Sequence, residues 1–181
     1  MIAYKAFRPG LICLGYQFVM GLNVTDKANC RKNGFHSAEN PLDCLSYYSF
    51  GGSEFYLVDA GGDIDEDGTD SKISCTELRI LKQLSKKEFF LHALAYMVDH
   101  PHREWNSHVD ADRATAHNGF AVVRGFDPLA CGDHGDYLAL AKENPENGTI
   151  EQIALAQVDG KAILPGIWYD INFEKRTVGI F

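Results

Sequence analysis

No stretch of this 181-residue chain stays apolar for the roughly 20 residues that a membrane-spanning helix needs; the longest candidate, residues 11–22, is broken by Gly15, Gln17 and Gly21. The opening MIAYKAFRPG lacks a basic stretch followed by an apolar run, so no secretory leader is expected. Basic residues are scarce, with 17 lysines and arginines against 25 aspartates and glutamates and a formal charge of -8. Direct nucleic-acid binding is therefore not expected, because phosphate contacts need clustered Lys and Arg. The five cysteines, Cys13, Cys30, Cys44, Cys75 and Cys131, are odd in number and form no CxxC pair. That pattern argues against a complete disulfide framework and a four-cysteine zinc site, and predicts small buried hydrophobes in a reducing cytoplasm. A GxSxG elbow and an HExxH helix are also missing, and with them the usual hydrolase and zinc-peptidase signatures.

What the chain does have is a globular composition, 45% hydrophobic, 12% aromatic and 23% charged. Area scaling gives a folded surface of roughly 8,700 Å² against about 29,000 Å² unfolded, enough burial for an ordinary core. The patterning predicts an α+β protein. Residues 1–104 read as a mixed sheet with two helices, and residues 105–181 as a mainly β, Gly/Ala-rich region packed against it as one body. Strands are expected over 2–7, 53–60 and 72–81, the last buried on both faces. Asn40 as N-cap and Pro41 at the first helical position, with Leu42, Leu45 and Tyr48 three apart, predict a short helix over 41–48. Ser85 and Glu88 form a capping box, and Phe90, Leu94, Met97 and Val98 behind it mark the buried stripe of a second helix that His100-Pro101 stops. From residue 108 small residues alternate and glycines punctuate, which suggests a short solenoid-like stack. Residues 150–158, 168–173 and 177–181, with an Asp159-Gly160 turn, then predict a β-meander.

The densest charge is acidic. Asp63, Asp65, Glu66, Asp67 and Asp70 crowd one segment that opens like a calcium loop, but Ser74 stands where a closing bidentate carboxylate belongs. The reading is a solvated hairpin loop that can meet a basic partner, with no metal site and no cofactor expected. His100, His102 and His108, and the pairs His36-Ser37 and Asp133-His134, lack the spacing of metal or triad chemistry.

Several stretches are nonetheless distinctive: Tyr4-Lys5-Ala6-Phe7, Gly15-Tyr16-Gln17-Phe18, the run GFHSAENPLDCLSYY from Gly34 to Tyr48, and Asp70-Ser71-Lys72-Ile73. Together with Val158-Asp159-Gly160-Lys161, Pro165 and Trp168-Tyr169, they resemble an uncharacterised domain family of phage and prophage proteins. The order of Tyr4-Lys5, Gly34-Phe35-His36-Ser37, a helix ending in Tyr47-Tyr48 and a following strand also looks like the ADP-ribosyltransferase layout. There a Gly-Phe segment borders the nicotinamide pocket, and here the acidic residue would be sought among Glu54, Glu77 and Glu88. The phage resemblance implies a non-enzymatic protein in the cytoplasm of a bacterial host that binds a host protein or ribonucleoprotein. Its sharpest form is an anti-CRISPR-like inhibitor of a defence nuclease that uses Asp63, Asp65, Glu66, Asp67 and Asp70. An ADP-ribosyltransferase-like enzyme is the first alternative, and a virion component that assembles as a homo-oligomer is the second.

Overall fold

A computed structural model describes residues 1–66, 68 and 70–178. The chain is mainly β and divides into two compact units, Met1–Phe89 and Phe90–Phe181. Among the described residues no helix is long and apolar enough to cross a membrane.

The first unit is built on antiparallel pairing. Its strands are β1 (Ile2–Phe7), the short hairpin β2 (Ile12–Cys13) and β3 (Tyr16–Gln17), β4 (Gly21–Val24), β5 (Phe35–Ala38), β6 (Glu54–Glu66) and β7 (Lys72–Leu84). β1 pairs with β5 on one side, Tyr4 opposite Ala38, and with β6 on the other, Ile2 opposite Asp59. β7 pairs with β6 along its length and with β5 and β4 in succession, so β7-β5-β1-β6 closes into a ring. Period-two alternation sends Ala3 and Phe7 of β1, Val58 and Ala60 of β6, and Ile73, Cys75, Leu78 and Ile80 of β7 into one core. Phe7 meets Phe18 at 5.1 Å and Tyr56 at 5.4 Å, both edge-on, the geometry that ring quadrupoles favour.

Both hairpin strands run further than expected. β6 continues through Gly61-Gly62 into the carboxylates, with register shifts after Leu57 and Gly61, so Asp63, Asp65 and Glu66 stand on an extended strand rather than in a loop. Of β7, only Ile73, Ser74 and Cys75 are buried consecutively; beyond them burial alternates. The helix expected over 41–48 is a 3-10 helix over Pro41–Ser46. The Asn40 side chain accepts from Leu42 N at 3.1 Å, as an N-cap should. The Asp43 carboxylate within this helix accepts from the Ser71 hydroxyl and amide just before β7.

The helix α1 (Lys86–Asp99) spans the boundary between the units. Its capping box is formed: Ser85 N donates to Glu88 Oε2 at 2.8 Å, and Glu88 N donates to Ser85 Oγ at 3.2 Å. Hydrogen bonds from Lys82 and Ser85 hold the Glu88 carboxyl down at about 2. Phe90, Leu94 and Met97 are buried as the stripe predicts and Phe89, 4.2 Å from Phe55 of β6, is buried too, but Val98 is 43% exposed.

The second unit carries β8 (Asp110–Thr115), β9 (Phe120–Cys131), β10 (Tyr137–Glu143), β11 (Ile150–Gln157), β12 (Trp168–Tyr169) and β13 (Lys175–Arg176). β8 and β10 both run parallel to β9, and Ala121, Ala130, Ala139 and Ala141 are buried along these strands. The predicted meander does not form. β11 pairs back on β10, and Gly135 and Asp136 take both backbone bonds of Val158, so Asp159-Gly160 opens a loop instead of a hairpin. β12 pairs with β9 and β13, and residues 179–181 of the expected last strand lie outside the described residues.

Candidate functional site

The GFHSAENPLDCLSYY run wraps one wall of a cleft of about 440 Å³ in the first unit, a size ordinary for a small-ligand site. Gly34 starts the wall. It has φ +87°, and a Cβ there would lie 2.3 Å from Ser74 Oγ and 2.9 Å from Ala28 Cα, so only glycine lets β5 turn in this close. His36 and Ser37 of β5, Asp43 and Cys44 of the 3-10 helix, and Tyr47 and Tyr48 just past it then face the space. Tyr4, Lys5 and Ala6 of β1, the strand paired with β5, also line it, with Cys13, the exposed Arg8 and Leu14, and Lys72 of β7 beside Tyr47.

The cleft is positive on an acidic chain. Its one carboxylate, Asp43, is occupied by Ser71, whereas Arg8 is exposed at the rim and Lys72 Nζ lies 3.9 Å from the centre of the Tyr47 ring. Deeper in, Lys5 is 5% exposed, and its Nζ donates to the His36 carbonyl. Burial pulls its amine below the ordinary lysine value, and the surrounding thiols only partly offset this. The His36 imidazole accepts from Arg31 N at 2.9 Å; burial, with Lys72 and Lys5 nearby, lowers it to about 4. Tyr48 donates its hydroxyl to Cys13 Sγ at 2.9 Å, and burial raises the Cys44 thiol to about 12, so Cys44 is an inert wall and not a thiolate nucleophile. Ser37 Oγ is buried with no hydrogen-bond partner. A buried polar atom left unsatisfied costs about 1–3 kcal/mol.

The acidic segment is less free than its sequence suggests. Asp65 Oδ2 accepts from Cys30 N at 2.6 Å; Asp70 accepts from Lys72 N at 2.9 Å and Tyr47 Oη at 3.2 Å and pairs with Arg31 at 3.4 Å. Asp63 and Glu66 are exposed on β6, and Asp67 lies outside the described residues. Among the described residues no three His, Cys, Asp or Glu side chains gather as a metal-ligating group. Tyr4-Lys5, His36-Ser37 and Tyr47-Tyr48 all line the one cleft, but Glu54, Glu77 and Glu88 do not. Glu54 instead accepts from Gly10 N and Tyr56 Oη, and Glu88 is spent on its cap.

The sequence reading quoted Lys5 and Lys72 only within distinctive stretches and assigned neither of them, nor Arg8, to a site. The signal for Lys5 was present: it sits between Ala3 and Phe7 at period two, a charge on the face of a strand that points inward. No curated protein matches the chain, and no solved structure does. The cleft residues, 4 to 72, all fall within residues 1–92, which match the model of a domain of unknown function, DUF7666, and the chain belongs to that family.

Proposed function

We propose that the chain is a binding protein and that its DUF7666 unit takes a nucleotide-type ligand, one that joins an anionic phosphate to a flat ring. The observation that carries this reading is the cleft itself. Arg8 and Lys72 offer charge at the mouth, the carboxylate that lines the cleft, Asp43, is held by Ser71, and Tyr4, Tyr47 and Tyr48 line the space with aromatic rings. Thermal unfolding of the purified chain with AMP, ADP or NAD tests it. A ligand at 100 times its Kd stabilises by about 2.7 kcal/mol, and Arg8→Ala with Lys72→Ala is expected to weaken binding about tenfold or more. No shift with any of the three ends the proposal. The NAD arm also reads the ADP-ribosyltransferase alternative: release of nicotinamide by the chain makes it an enzyme.

A second reading keeps the phage-type protein that binds a host macromolecule, with a defence nuclease as the sharpest target. Asp63 and Asp65, exposed on β6 at period two and so on one face of the strand, favour it, with Glu66 exposed on the other face, since such charge speeds association with a basic channel. Replacing Asp63, Asp65, Glu66 and Asp70 with the amides is expected to weaken capture of a host protein and flatten its salt dependence; affinity unchanged at low salt removes these carboxylates from the account.

A further inference from the structure

We propose that Lys5 is a site of reversible covalent capture, where the side-chain amine at the floor of the cleft condenses with the aldehyde of a phosphorylated ligand held at the mouth. The proposal rests on the reading of the cleft as a ligand site and adds a bond to it.

The geometry is unusual for a lysine. Lys5 is buried on the inward face of β1, and among the described residues no carboxylate pairs with it. Its Nζ has the His36 carbonyl as acceptor and stands 5.3 and 5.2 Å from the ring centres of Phe7 and Phe18. A ring face repays an ammonium by about 1–2 kcal/mol, less than the cost of removing an isolated charge from water. The free amine is therefore favoured here more than at any exposed lysine, and its lone pair is the nucleophile. Arg8 and Lys72 at the mouth supply the phosphate contact, which leaves the opposite end of a bound compound toward Lys5. Ser37, on the neighbouring strand, carries a solvent-shielded hydroxyl with no hydrogen-bond partner, which is left to donate to a carbonyl oxygen that reaches Lys5.

In the capture step the Lys5 nitrogen attacks the aldehyde carbon. A C–N bond forms, the C=O π pair moves to oxygen, and that oxygen takes one of the two amine hydrogens to give a carbinolamine. Its hydroxyl then leaves with the remaining N–H hydrogen as water, and a C=N bond is left. Nothing is oxidised or reduced, so no further reactant is needed, and water reverses the step.

Pyridoxal 5′-phosphate, a flat phosphorylated aldehyde, is the probe. The intact chain is incubated with it, reduced with borohydride to fix any imine as a secondary amine, digested and mapped by mass spectrometry. Lys5 is expected to carry at least about ten times the label of any exposed lysine. Ser37→Ala is expected to lower that yield, and Lys5→Met, of similar volume and suited to a buried site, is expected to leave only the exposed background. Label spread over exposed lysines with Lys5 unmodified overturns the proposal, whether or not AMP binds. Label on Lys5 that AMP does not displace supports capture and counts against the nucleotide reading alone.

Discussion

Lys5→Met is expected to be more stable than the parent chain near neutral pH, by about 1–3 kcal/mol. The parent holds an amine in a site where burial disfavours its charged form, and among the described residues no carboxylate offsets that burial. Methionine matches the length and flexibility of the lysine stem and asks for no hydrogen bond. The sign with pH follows from the lowered pKa. An unfolded lysine near its ordinary value of 10.5 binds a proton that the folded one resists, so the penalty on the parent is full below the folded value and fades as pH rises toward 10.5. The advantage of methionine should therefore be largest at neutral pH and shrink toward about pH 10. Urea midpoints followed by circular dichroism at both pH values measure it. A variant less stable than the parent at both would mean that the Lys5 amine contributes net stability through His36 and the two rings. A gain in stability bought with the loss of aldehyde capture is the trade expected of a functional lysine.

The second large effect lies in the other unit. Arg124 of β9 is 4% exposed; its Nε donates to Glu143 Oε1 at 2.6 Å, and its Nη2 donates to the Pro101 carbonyl at 2.5 Å and to the Gly148 carbonyl at 3.4 Å. The guanidinium carbon stands 4.8 Å from the centre of the Trp105 ring. One planar fork thus ties together the segment after α1, the end of β10 and the turn before β11. Arg124→Met strands the Glu143 carboxylate, whose side chain is 13% exposed, and is expected to cost about 3–5 kcal/mol. Arg124→Lys is expected to recover only part of that, because a single ammonium cannot serve three acceptors in one plane. Adding Glu143→Met to Arg124→Met should restore much of the loss, since no buried charge is then left unpaired. Both tryptophans of the chain, Trp105 and Trp168, lie in this unit, so their fluorescence follows its unfolding without signal from the first. Equal stability for the parent and the single variant would show that the pair only breaks even against its desolvation.

Local signals were legible wherever a backbone group is satisfied by a near neighbour in sequence. Asn40 before Pro41, and Ser85 three residues before Glu88, name their own hydrogen bonds, and both caps form. β1 was equally plain, but its one charged residue was read only as part of the Tyr4-Lys5 stretch, because a lysine by itself carries no mark of burial. The long hairpin failed for the opposite reason. Gly61, Gly62 and the carboxylates from Asp63 to Glu66 are poor strand formers, and their extension comes from the partner: Asp63 N donates to Thr76 Oγ1 at 2.9 Å, and Asp65 lies opposite Ser74. Strand pairing over distance is not written in either strand alone. The same holds for the cleft, whose walls come from β1, β5, β7 and the 3-10 helix, and for β11, whose partner is β10 rather than the segment that follows it.

The ring of the first unit sets the order in which it can be made. β1 has both of its neighbours once Glu66 has been synthesised, yet the circle stays open until β7 lies along β5 and β6 together. Until then the inward side chains of β1, Lys5 among them, line a trough instead of a core. β1 pairs with residues 47 to 57 positions away and closure joins β7 to β5 across 34 to 40 positions, so completing the ring is a slow, high-contact-order event. On a ribosome the unit would stay unsealed until Leu84 had emerged, so the chain passes through a stage in which its cleft residues are in water and its strand edges are exposed to aggregation.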